Sequence, residues 1–490
     1  FRCRLNKESL EKLRWELAPG ETGAWIELSR TRDFKEITHR YKAEGSEYEL
    51  PEDVERGMWF WRLRGRSPAA QGVSTDADRV WQLLVRGPSK SGVASSVPHG
   101  GIADVNGDGL PDLSFMTLVT PDFAVDENDK PYFDKPTPVV FTLLAEPDGT
   151  YHLFKPDKQT WLDVSHAGAP FVGGTDVDGD GFTDFVVASS FDAEGSGGLV
   201  RVMHGGKAGW DDEKDERQGW VPIPYAAGLP NVELVGDING DGYADLSVSR
   251  PDGSGFAALG GASGLGTSLL MFPQAFQASA PAAAPSLAGC DLDGDGLVEV
   301  AVASTTPSSP LLVGKGTRDR YDAFTPLTVG GDLPSIAEAI AITSGDFDGD
   351  GTYELAFSTR VDSTIAVCLH KSGPLTAKSC WRSDQAGADG FGKGLRAADV
   401  DADGKDDLLL AGADGLTILK QGEPGVFESS RIEGRFLPSV AVLHPGRPEP
   451  ATLAVILADG KAVQIYAGDK PGQRISVEDP HILSAGPTVR

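Results

Sequence analysis

The chain has 490 residues, room for two or three ordinary domains or for one repeat array with an appendage. Its 72 acidic and 44 basic side chains leave a formal net charge of −28. A surface this acidic repels phosphate backbones and anionic lipid, so no nucleic acid partner is expected, and it suits cations. No apolar run approaches the ~18 residues of a membrane-spanning helix, so no transmembrane segment is expected either.

Residues 1–86 hold five short aromatic or alternating runs: "LRWELAP", "GAWIELSR", "SEYELP", "GMWFWRLRG" and "VWQLLV". Turn residues separate them, and the pattern predicts a small β-sandwich. Phe1 falls within what reads as a strand, so the chain reads as mature or trimmed, with any export signal outside it. Trp15 falls on the second strand and Trp59–Gly65 on the penultimate one, and the segment resembles a fibronectin type III domain. Phe60 stands where that family carries its corner tyrosine. Residues 87–97, rich in Gly, Ser and Pro, read as a linker.

From residue 98 to 490 one loop recurs. DVNGDGLPD (Asp104–Asp112) returns as DVDGDGFTD (Asp176–Asp184), DINGDGYAD (Asp237–Asp245), DLDGDGLVE (Asp291–Glu299), DFDGDGTYE (Asp346–Glu354) and DVDADGKDD (Asp399–Asp407). The starts are 72, 61, 54, 55 and 53 residues apart, a spacing that signals a repeat architecture. The shared pattern is D-x-[DN]-x-D-G-x-x-[DE], and no copy breaks it.

Such a loop has the chemistry of calcium. Side-chain oxygens at positions 1, 3, 5 and 9, with a backbone carbonyl at position 7, suit a hard cation that takes 6–8 oxygens. The expected ligands are Asp104, Asn106, Asp108, Leu110 and Asp112; Asp176, Asp178, Asp180, Phe182 and Asp184; and Asp237, Asn239, Asp241, Tyr243 and Asp245. The later copies supply Asp291, Asp293, Asp295, Leu297 and Glu299; Asp346, Asp348, Asp350, Thr352 and Glu354; and Asp399, Asp401, Asp403, Lys405 and Asp407. Leu110, Phe182, Tyr243, Leu297, Thr352 and Lys405 would act through their carbonyls. The glycine at position 6 permits the sharp turn. Without metal the carboxylates repel one another. An EF-hand would need Glu at position 12, where the chain has Phe115, Val187, Val248, Val302, Phe357 and Leu410. A single such loop could equally be a metal-free Asx turn, but six matched copies favour a cation, about six Ca2+ in all.

After position 9 each repeat runs large–small–large–small, as in Leu246-Ser247-Val248-Ser249, which fits sheets packed closely face to face. Two further strand-like runs complete each repeat, and four strands repeated radially make a β-propeller blade. A seventh repeat emerges when the run from Leu453 is aligned on the run from Leu408, which places His444, Gly446, Pro448 and Thr452 at the ligand positions and hence no ion. The expected fold is therefore all-β: a seven-bladed propeller behind the sandwich. "VGDINGDGYADLSVS" followed by "LGGASGLG" resembles the FG-GAP (VCBS-type) repeats of integrin-like propellers. That resemblance implies calcium loops between the first and second strands of each blade, at the residues named above.

Cys368 and Cys380 fall on adjacent antiparallel strands of the fifth repeat and are expected to form a hairpin disulfide. Cys290 reads as a buried thiol, and Cys3 has no evident partner. The eight histidines (His39, His99, His152, His166, His204, His370, His444 and His481) are scattered, with none paired at metal-ligand spacing, and read as structural or surface residues. No nucleophile elbow, phosphate loop or zinc motif is present. Thr120–Pro138 and Gly206–Trp220 exceed what a blade needs and are candidate recognition loops. Together these features predict a non-enzymatic, calcium-binding protein of the bacterial exterior, secreted or surface-displayed, that adheres to a protein or glycan. Two alternatives stay open: a polysaccharide-acting, lyase-like propeller, and a structural subunit of a surface assembly.

Overall fold

The computed structural model describes residues 4–6, 9–15, 17, 20, 22–51, 54, 57–65, 80–88, 94–96, 104–119, 137–154, 171–189, 197–207, 209–210, 221–224, 230–239, 241, 243–250, 252–266, 269–272, 285–290, 292, 298–306, 309–315, 324–326, 339–348, 353–361, 364–370, 380–382, 395–401, 403, 405–412, 415–421, 427–443, 452–457, 462–467 and 470–476. Every regular element among them is a strand. No helix among the described residues is long and apolar enough to cross a membrane.

Eight strands make two sheets at the N-terminal end. One has the order Arg4–Asn6, Ser9–Arg14, Glu47–Glu49; the other has His39–Glu44, Gly23–Ser29, Gly57–Gly65, Trp81–Pro88, Ala94–Ser96. Leu13 and Leu50 meet Ile26, Leu28, Trp59, Trp61 and Leu83 in one buried cluster. Three strands go beyond the five runs visible in the sequence. His39–Glu44 is one: only Ala43 in it is buried, so this edge strand has little apolar signal. Ala94–Ser96 is another. It lies in the Gly/Ser/Pro segment and pairs with the preceding strand through Val85↔Ser96.

Among the described residues seven antiparallel meander sheets follow, with a separate two-stranded ribbon, Gly205–Gly206 and Gly209–Trp210, after the third strand of the second. The first has the order Tyr151–Leu153, Thr137–Ala145, Leu113–Val119. The next six have four strands each, in sequence order. They are Phe171–Thr175, Asp184–Ser189, Gly197–Met203 and Val221–Pro224 in the second, and Asn231–Gly236, Asp245–Ser249, Gly255–Ala258 and Leu269–Met271 in the third. The fourth contains Leu287–Cys290, Glu299–Thr306, Ser309–Lys315 and Thr325–Pro326, and the fifth Ala339–Gly345, Glu354–Val361, Thr364–His370 and Cys380–Arg382. Leu395–Ala398, Asp407–Gly412, Gly415–Gln421 and Phe427–Glu433 make the sixth; Phe436–Leu443, Thr452–Leu457, Ala462–Ala467 and Lys470–Ser476 make the seventh.

The core lies between consecutive sheets rather than at one centre. Val186, Val200 and Val202 of the second sheet pack on Val232, Leu246, Val248 and Phe256 of the third. Leu408 and Leu410 face the fifth sheet, while Leu409 and Ala411 of the same strand face the seventh. The period of two along a strand sends alternate residues to opposite interfaces, so these second strands are buried on both faces. The large–small alternation has the same origin. Leu246 and Val248 fill the wider gap, while Ser249 sits on the tighter side, its hydroxyl 2.5 Å from the Pro285 carbonyl.

The first and seventh sheets also meet. The Tyr151 N–H donates to Gln473 Oε1 at 2.9 Å, and Gln473 Nε2 donates back to the Tyr151 carbonyl at 3.2 Å. In the fifth sheet Cys368 stands directly across from Cys380. Cys3, residues 120–136 and 211–220 of the long insertions, and His99, His166, His444, His481, Gly446 and Pro448 lie outside the described residues.

Candidate metal centres

In the second to sixth sheets the acidic loop joins the first and second strands; in the first sheet it leads into Leu113–Val119, which matches the second strand of the others, and the same hydrogen bonds shape every copy that can be followed. Position 9 closes the loop by accepting from the N–H of position 2. This bond is 2.8 Å for Val105 to Asp112, 2.8 Å for Val177 to Asp184 and 2.7 Å for Ile238 to Asp245. It recurs at 2.8 Å for Leu292 to Glu299, 2.8 Å for Phe347 to Glu354 and 3.2 Å for Val400 to Asp407. The other oxygen of position 9 reaches the end of the third strand, accepting from Ala145, Gly205 and Gly260 in the first three copies. Position 1 gathers the turn: Asp104 accepts from Gly107, Asp108 and Gly109, and Asp176 from Gly179, Asp180 and Gly181. Position 5 accepts from the N–H of position 7, as Asp108 does from Leu110 and Asp241 from Tyr243.

In the first two loops glycines at position 4 as well as at position 6 take up the turn. Gly107, Gly109, Gly179 and Gly181 have φ of 72°, 89°, 73° and 87°, in the left-handed region. The carboxylates thereby converge. In three loops the groups Asp176–Asp178–Asp180, Asp346–Asp348–Glu354 and Asp399–Asp401–Asp403 each bring ligand oxygens within 4.8 Å of one another. Oxygens on one calcium sphere, each about 2.3–2.6 Å from the ion, are at most about 5 Å apart. Asp291, Asp293, Asp295 and Leu297 of the fourth loop lie outside the described residues, as do Asp350 and Thr352 of the fifth.

Burial makes this arrangement costly without a cation. Asp104, Asp112, Asp184, Asp245 and Asp346 are fully buried. Burial, with the charge of Asp108, pushes Asp104 up to about 8. Burial likewise raises Asp245 and Asp407 to about 8, and Asp112 and Asp176 well above the carboxylate range. The donor set is oxygen-rich, anionic and prearranged by backbone N–H groups, and it fits a hard divalent cation.

Adjacent loops are also stitched together, through a position the pattern leaves free. The N–H of position 8 donates to the position 1 carbonyl of the preceding loop: Thr183 to Asp104 at 2.8 Å, Val298 to Asp237 at 3.2 Å and Asp406 to Asp346 at 2.8 Å. Two of these side chains return the bond, Thr183 Oγ1 accepting from Asp104 N and Asp406 Oδ2 from Asp346 N, each at 2.9 Å. Position 7 adds packing beyond its expected carbonyl role. Phe182 lies against Gly107, within 2.7 Å of where a Cβ would stand, and Tyr243 lies against Gly179 at a tight 3.0 Å.

The N-terminal sandwich covers the first two loops. Arg32 donates from its N–H to the Gly107 carbonyl at 3.3 Å and from Nε to the Asp180 carbonyl at 2.6 Å. Its guanidinium lies 4.0 Å over the Phe182 ring, a cation–π contact. A Cβ on Gly109 would come within 2.5 Å of the Arg30 carbonyl, and one on Gly181 within 2.8 Å of the Val80 carbonyl.

The third strand brings further groups to the loops. His204 is fully buried, with Nδ1 3.5 Å from both Asp178 and Asp184, so it belongs to the second loop's site despite its isolation in sequence. Lys420 Nζ lies 2.5 Å from Asp401 Oδ2, and Lys315 Nζ lies 3.8 Å from Glu299 Oε1.

An FG-GAP repeat model matches residues 231–271, which span the third loop and its sheet. No curated protein matches the chain. Among solved structures, a protein from Lactobacillus plantarum is 12% identical with a TM-score of 0.41, over 76% of this chain and 98% of that one. The structure of BBS1N in complex with ARL6DN is 12% identical with a TM-score of 0.41, over 64% of this chain and 83% of that one. The Vibrio cholerae biofilm matrix protein Bap1 is 10% identical with a TM-score of 0.27, over 78% of this chain and 75% of that one. Likenesses this distant carry no argument about function; the repeated loop geometry does.

Proposed function

We propose that this protein is a calcium-stabilised binding protein of the cell exterior, in which seven sheets close into a propeller behind a fibronectin III-like sandwich. The observation that carries the reading is the set of buried, mutually repelling carboxylates held in one repeated arrangement by backbone N–H groups. Such a set is favourable around a divalent cation and costly without one. The Tyr151–Gln473 contact supports ring closure. The strand order of the sandwich, three strands against a larger sheet, supports its fibronectin likeness. Calcium fixes the loops, and a rigid rim presents its connections to a protein or glycan ligand.

A glycan array and a surface-protein pull-down, each run with and without calcium, test this. Calcium-dependent retention of a defined glycan or protein is the expected result. Polysaccharide turnover with product release would replace the binding reading by an enzymatic one.

The facing Cys368 and Cys380 fit a cross-strand disulfide in an oxidising compartment. Thiol counting on the unfolded, unreduced chain is expected to find two of the four cysteines blocked. Four free thiols would remove the bridge.

A further inference from the structure

The residue of the third strand that faces position 9 varies in step with position 3 of the loop. Strand register places Lys315 directly opposite Glu299. One step beyond the pairs Leu113↔Leu143, Phe185↔Met203, Leu246↔Ala258 and Leu408↔Leu419, the same place is held by Leu144, His204, Leu259 and Lys420. Where position 3 is Asn106 or Asn239, the third strand supplies leucine. Where position 3 is Asp178, Asp293 or Asp401, it supplies His204, Lys315 or Lys420. In the fifth repeat Asp348 is accompanied in sequence by Lys371, which lies outside the described residues.

The contacts show what links the two positions. Lys420 Nζ is 2.5 Å from the position 3 carboxylate, Asp401 Oδ2, and His204 Nδ1 is 3.5 Å from Asp178 Oδ2. Burial works against the Lys420 charge, but the bond to Asp401 and the fields of Asp407, Asp401 and Asp403 hold its ammonium above the usual lysine range. This cation therefore stands among the ligands rather than on an unrelated face. Loops 1 and 3 carry three acids at the ligand positions; loop 6 carries four, and one ammonium brings it back to the same net charge. Asn106 and Asn239 bridge to the position 5 carboxylate through Nδ2, each at 3.0 Å, a contact no aspartate can make as a donor.

We propose that this third-strand residue is a member of the ion site: the lysine offsets the extra carboxylate at position 3, so that a loop with aspartate there and lysine opposite, and a loop with asparagine and leucine, hold calcium in cages of equal net charge. This rests on the calcium reading of the loops. It assigns Lys420 and Lys315 an affinity-setting role that an ordinary surface ion pair lacks.

The test is calcium titration of the full chain against a competing chelator, with melting curves in calcium and after its removal. Lys420→Leu should tighten one site about tenfold, because cage charge sets affinity, and should lower the melting temperature of the calcium-stripped protein. Asp401→Asn should weaken one site by a similar factor. The double variant should return to wild-type behaviour, the signature of direct coupling. If Lys420→Leu does not fold, Asn239→Asp and Leu259→Lys in the third loop provide the converse pair: the first tightens a site, the second weakens one, and together they cancel. Wild-type sites with single variants that leave every affinity unmoved would overturn this proposal alone. A wild-type chain that binds no calcium would overturn the calcium reading and this proposal with it.

Discussion

Calcium-stripped protein at pH 8 is expected to melt more than about 10 °C below the calcium-loaded form, and the gap is expected to shrink at pH 5. A site held at 100-fold over its dissociation constant contributes about 2.7 kcal/mol. At roughly 1 °C per kcal/mol for a chain of 490 residues, about four such sites reach the stated drop. The pH dependence follows from Asp104, Asp245 and Asp407, which burial lifts from 3.8 to about 8. A carboxyl whose folded value is raised contributes stability below its unfolded value and loses it as pH climbs through the folded one. The stripped chain therefore weakens between about pH 4 and pH 8, as each buried acid is forced to ionise beside its neighbours. Calcium favours the ionised form, so its own contribution grows over the same interval. Scanning calorimetry of stripped and loaded protein at the two pH values checks both parts. A stripped chain that is more stable at pH 8 than at pH 5 would show that these carboxyls are not the controlling groups.

Asp245→Ala is expected to destabilise the protein by about 3 kcal/mol or more even when calcium is absent, whereas Asp241→Ala should cost about 1 kcal/mol or less under the same conditions. Asp245 is buried and accepts from both Ile238 and Gly260, so its loss strands two backbone donors at the junction of loop, second strand and third strand. A stranded buried donor costs about 1–3 kcal/mol. Asp241 is exposed, and the bond it accepts from Tyr243 N lies at the surface, where water can replace it. In saturating calcium both variants should lose the third site, so each cost should grow by the same ligation free energy and the gap between them should persist. Urea unfolding with and without calcium measures this, and equal costs in the stripped protein would reduce position 9 to a metal ligand and nothing more.

Much of this architecture is legible in the residues. The invariant D-x-[DN]-x-D-G-x-x-[DE] frame locates every loop, and Leu246-Ser247-Val248-Ser249 shows a strand buried on both faces, because only an alternating fit serves two unequal gaps. What escapes a linear reading is whatever depends on a partner from another segment. Thr183 and Asp406 occupy a position the pattern leaves unspecified, and their role exists only because the preceding loop's Asp104 and Asp346 stand beside them. His204 and Lys420 reach the loops only once the third strand has folded back, 20 and 13 residues beyond Asp184 and Asp407. His39–Glu44 was hidden for a different reason: an edge strand with one buried side chain carries almost no periodic signal.

The seating of Arg30 and Arg32 against the first two loops has a geometric corollary. A visitor approaching from that side finds the first two loops already occupied by the chain's own amino-terminal sheets, so its contacts there would fall on the later loops. Proteolytic trimming of the amino-terminal unit would uncover Gly107, Gly109 and Gly181, and a gain in solvent exchange at those loops would report on the part that had been shielded.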